Sequence, residues 1–189
     1  ARYFSAATDL PLASPDIARK FRGGVRLRLR CTAGLRFDQL GVERLRFCLG
    51  GTDETAYRLL ECIGGKPLGV MVTGVDRPIR TRHFLPGSCI TLAGYADDEA
   101  LLPSTPRGFS GHRLIHEYFA FPQRFLFFDI SGLAAVLSRT PVSELELHLL
   151  FSKGDATLES QVDAGHFLLN ATPVINLFKR RADRIHVTT

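Results

Sequence analysis

The stretch "GGVRLRLRC" sets Val25, Leu27 and Leu29 in strict alternation with Arg26, Arg28 and Arg30. A period of two is the side-chain period of a β-strand, so one face enters a core while the other carries guanidinium groups. The chain must therefore build a sheet with an apolar side and a charged side. The charged side reads either as a solvated surface or as a stripe that docks an acidic partner.

Other segments extend the pattern. "RLRFCLG" reads as a second strand. "TDETAYRLLECIGG" reads as a helix capped by Thr52, with Asp53 and Glu54 at the positive end of its dipole, Ala56, Leu59, Leu60 and Ile63 on its buried face, and Gly64 at its end. "LGVMVTGV" and "CITLAGYA" have the β-branched, apolar content of strands, joined by a connection rich in Pro and Arg. A loop through "DDEALLPSTPRGFS" leads to a helix that Ser110 is expected to cap and Pro122 to stop. "RFLFFDI" reads as a central strand buried on both sides, with Phe125 and Phe127 facing one way and Leu126 and Phe128 the other. "ISGLAAVLS" suits a short helix, "SELELHLLF" a strand, and "RIHVT" a closing strand. The expected fold class is α+β, mainly antiparallel β-sheet or sandwich with several short helices. It forms a single unit over residues 1–189, with any subdivision near residue 100.

Composition narrows the class. The net charge of +5 comes from dispersed arginine rather than a basic block, so it selects no partner and gives no reason to expect nucleic acid. No apolar run approaches the roughly 20 residues of a membrane helix, so no direct membrane insertion is expected. Cys31, Cys48, Cys62 and Cys89 lie far apart in apolar surroundings and read as reduced thiols of a cytoplasmic protein. The first residue is Ala and no secretory signal follows, so the chain reads as a central fragment of a longer protein.

The stretch "GHRLIHEYFAFPQRFLFFD" tests the enzyme reading, because His112 and His116 stand four residues apart on one helical face. A zinc protease helix needs H-E-x-x-H, with the acid between the ligands; here the order is H-x-x-x-H-E and no third ligand stands out. "GFSGH" misses the last Gly of a nucleophile elbow, and "GGKP" lacks both the earlier Gly and the Ser/Thr of a P-loop. No catalytic residue, metal site or cofactor is assigned. On the helical wheel Leu114, Tyr118 and Phe121, with Ile115 and Phe119 beside them, form an apolar arc, with the histidines at its border and Arg113 and Glu117 farther round. Tyr118, Phe119, Phe121, Phe125 and Phe127 are accordingly expected to be buried.

Three blocks in order, "DEALLP", "FSGHRLIHEYFAFPQRFLFFD" and "TPVINLF", closely resemble the TssF (VasA/ImpG) family of type VI secretion baseplate subunits. The matching positions are 98–103, then Phe109, Gly111, Arg113, Leu114, Glu117, Tyr118, Phe119, Phe121, Pro122 and 125–129, then 172–174 and 176–178. His112, His116 and Arg124 depart from the Tyr, Gln and Lys common in that pattern. The resemblance is strongest over residues 97–187.

The resemblance implies a non-enzymatic scaffold of a contractile injection machine. Its partners would be TssG, TssK, TssE and the VgrG spike, with room for a second TssF copy, in a cytoplasmic apparatus docked at the inner membrane. The family residues with a structural or interface role would be Phe109, Arg113, Glu117, Tyr118, Phe119, Phe121, Pro122, Phe125, Asp129, Pro173, Asn176 and Phe178. For Asn176 two roles stand open: a buried amide that satisfies backbone groups beside a strand, or a side chain at a protein interface. The alternative function is a β-sandwich that binds carbohydrate or peptide through aromatic rings, with a metal-dependent hydrolase more distant.

Overall fold

The computed structural model describes residues 1–6, 14–76, 79, 81–103, 109–176 and 178, with Ser110 in its backbone alone. Two antiparallel sheets organise them. The first has the strand order β1 (Arg2–Phe4), β2 (Gly23–Arg30), β8 (Glu144–Phe151), β4 (Pro67–Gly74) and β5 (Arg82–Pro86). The second has the order β6 (Ile90–Leu92), β7 (Phe127–Ile130), β3 (Leu45–Leu49) and β9 (Phe167–Leu168). Both sheets combine strands from either side of residue 100.

The alternation of β2 is met by that of β8. Val25, Leu27 and Leu29 stand opposite Leu149, Leu147 and Leu145, while Arg26, Arg28 and Arg30 stand opposite His148, Glu146 and Glu144. The apolar row joins one core with Val70 and Val72 of β4, Phe47 and Leu49 of β3, and Phe128 and Ile130 of β7. The arginine row is partly neutralised within the sheet, since Arg28 Nη2 lies 2.5 Å from Glu144 Oε2.

The outer side of the first sheet is also closed at its centre. Gly24 and Gly69 flank the buried Leu150 on either neighbouring strand. A Cβ at Gly24 would sit 2.7 Å from the Phe4 ring, and one at Gly69 2.4 Å from the Phe84 ring. Edge-strand rings thus lie where the glycines leave space, and Phe4 in turn stacks on Phe21 at 5.7 Å.

Helix α2 (Asp53–Gly64) is capped by Thr52, whose side chain accepts from the Thr55 amide. It buries Ala56, Leu59 and Ile63 as expected, together with Thr55 and Cys62, whereas Leu60 is half-buried. Short helices α1 (Pro15–Lys20), α4 (Ala134–Leu137) and α5 (Leu158–Gln161) complete the connections, and α3 (Ser110–Ala120) stands at one corner.

Several expectations need correction. The cap residue of α3 is Phe109 and Ser110 is its first helical residue, so the helix begins without a side-chain cap. The chain after α3 makes a 3-10 turn over Pro122–Phe125 before β7 starts at Phe127, because Pro122 favours a new turn at its own position. The Pro- and Arg-rich connection contains an edge strand, β5. Residues 171–176 have no regular structure, and Asn176 is exposed rather than buried as the structural role expects. The proposed "RIHVT" strand lies outside the described residues.

Candidate functional site

The first two family blocks meet at α3, and there they build a network of charges. Asp129 sits in β7, all of whose residues are buried, and an ionised carboxylate there demands a cationic partner. The strand register supplies one: Arg46 on β3 stands opposite Asp129 and donates from Nε to Oδ1 and from Nη2 to Oδ2, each at 2.7 Å. Arg44 adds a second guanidinium at 3.4 Å.

Arg46 Nη2 also lies 2.5 Å from Glu99 Oε1, while Glu99 Oε2 accepts the Gly94 amide at 2.6 Å. Burial by itself would push the Glu99 carboxyl up, but the Gly94 amide and Arg46 outweigh it and hold the group below its ordinary range. The Asp129 hydrogen bonds raise the Arg46 pKa still higher than usual.

Glu117 is the second centre. Its Oε1 accepts the backbone amides of Leu101 and Leu102 at 3.0 Å each, and Arg113 Nη1 lies 3.3 and 3.2 Å from its two oxygens. Arg124 Nη1 contacts Glu117 Oε2 from the following turn. Arg113 reaches on to Asp97 at 3.0 Å, and Arg124 Nη2 donates to the Glu99 carbonyl at 2.9 Å. The Arg124 guanidinium also sits 4.9 Å from the Phe125 ring centroid. Burial, then the nearby Arg113 charge, lowers the Arg124 pKa, from a value so high that the group stays charged. Glu117 thereby ties α3, the 97–103 loop and the 122–125 turn together.

With Arg113 and Glu117 turned inward, His112, Ile115, His116, Tyr118, Phe119 and Ala120 face outward. Phe119 is 81% exposed and Phe109 72%, and Ile115 and Tyr118 are exposed too. This contradicts the expected burial of Tyr118 and Phe119. Phe125 and Phe127 are buried, and Phe121 and Pro122 are half-buried. The apolar arc fails as a guide because the surface beneath α3 offers loop amides, which need an acceptor, and a buried guanidinium, which needs an anion. His112 and His116 are exposed, and among the described residues no group of three or more His, Cys, Asp or Glu could hold a metal ion.

Of the family positions, Arg113, Glu117, Phe125 and Asp129 lie in or against the network. Phe109, Tyr118 and Phe119 form the outer surface of the corner. In the last block Pro173 is half-buried, while Asn176 and Phe178 are exposed. Sequence reasoning missed Arg46, had Glu99 only as part of the matched block 98–103 and gave it no role, and saw Arg124 as a departure rather than a partner. The available signal was Asp129 itself, a carboxylate in a strand read as buried on both sides. Every carboxylate of the network is committed to guanidinium or amide donors, which suits a rigid joint better than proton transfer.

Comparison with known proteins bears on the whole chain. The family model described as "Type VI secretion system, TssF" matches residues 1–189. The chain is 47% identical over 167 residues to the type VI secretion system component TssF1 of Pseudomonas aeruginosa, covering 88% of this chain and 27% of that relative. Its fold matches a chain in the cryo-electron microscopy structure of a TssK-TssF-TssG baseplate subcomplex. The TM-score is 0.65 at 22% identity, over 94% of this chain and 32% of that one. The chain thus spans about a third or less of the length of the relatives it matches.

Proposed function

Because this chain belongs to the TssF family of the type VI secretion system, we propose that it is a structural segment of the baseplate wedge, scaffolding assembly of the contractile sheath and tube. One observation carries the reading beyond family membership: a buried ion network holds α3 so that uncharged aromatic and aliphatic side chains face outward. A scaffold gains from such a surface, since rigid rings bury area on docking at little conformational cost.

Within this reading residues 1–189 act as one unit, no reaction is catalysed, and TssG and TssK are the first partners. TssE, the VgrG spike and a second TssF copy are further contacts of the same assembly. The protein works in the cytoplasm, in an apparatus docked at the inner membrane; no helix of the described residues is long and apolar enough to cross a membrane. The carbohydrate- or peptide-binding alternative is less well supported, because the most exposed rings of the corner stand on α3 and its cap rather than on a sheet.

The test is copurification of the full-length protein with the TssG and TssK proteins of the same bacterium. A stable complex is expected. A full-length protein that folds yet copurifies with neither would contradict the assignment.

A further inference from the structure

We draw no further inference here: the strongest candidate, the arginine row on the outer side of β2 (Arg26, Arg28 and Arg30) beside the stretch of its edge that β1 does not reach, carries no proposal because nothing in the structure shows what covers it.

Discussion

Arg124 lies directly against Glu117, and the side chains of both are 1% exposed. Two charges withdrawn from water hold each other in place only while both are present, since the survivor of a deletion pays its desolvation without return. Glu117 bears more of this than Arg124, because it also accepts two loop amides and faces Arg113.

Glu117→Gln should therefore destabilise the protein by about 3 to 5 kcal/mol, the usual cost of breaking a buried pair from one side. Denaturant unfolding followed by circular dichroism checks it. Arg113→Gln should cost less, because Glu117 keeps Arg124 and both amides.

The aromatic residues of the corner separate into two classes. Phe125, buried beside Arg124, should cost about 3 to 5 kcal/mol when truncated to Ala. Phe119→Ser, at an open position, should leave stability within about 0.5 kcal/mol of wild type. Thermal melting of the two variants side by side would reverse the account if Phe119→Ser were the more damaging.

That contrast shows where sequence reading succeeds and where it stops. Strands β2 and β8 were legible because alternation marks a one-sided strand whatever lies opposite, and α2 because its cap, acidic first turn and apolar stripe all agree. The same stripe logic fails for α3. Which face of a helix is inner depends on what lies beneath it, and beneath α3 lie the Leu101 and Leu102 amides and Arg124. Those partners come from other segments, and the Arg46–Asp129 pair bridges 83 residues of chain. Of the edge strands that escaped notice, β1 and β9 have only three and two residues, and β5 lies in a Pro- and Arg-containing stretch with no residue fully buried.

Acid should loosen the corner through Glu99. Its carboxyl titrates below the ordinary range in the folded protein, so the stability it contributes is fully present above the unfolded pKa of about 4.3. That contribution is lost as the pH falls from there through the lower folded value. Unfolding free energy measured from pH 6 down to pH 3 should fall less steeply in Glu99→Gln than in wild type. Equal slopes would show that Glu99 is not held ionised by Gly94 and Arg46.

The cysteines should be poor nucleophiles. All four are free, and burial pushes the thiols of Cys62 and Cys89 up to about 11. At pH 8 their thiolate fraction is on the order of one in a thousand, so alkylation of the native protein should be slow at both sites and rapid after unfolding. Peptide mapping after brief iodoacetamide treatment distinguishes the two.

Gly69 adopts a φ of +154° and the Phe84 ring lies over it, so Gly69→Val should force the ring away and lower stability by about 1 to 3 kcal/mol. Loss of stability without any change at the α3 corner is the expected result, read from denaturant unfolding together with hydrogen exchange of residues 110–120.

The central claim is that α3 divides its labour, with charged residues inward for rigidity and uncharged ones outward for assembly. It is tested most directly by placing Phe119→Asp and Glu117→Gln in the full-length protein and measuring, for each, the melting temperature alone and the recovery of TssG and TssK on copurification. Phe119→Asp should melt with wild type and lose the partners, whereas Glu117→Gln should melt well below it. Phe119→Asp that retains the full complex, or that is destabilised as severely as Glu117→Gln, would contradict the account.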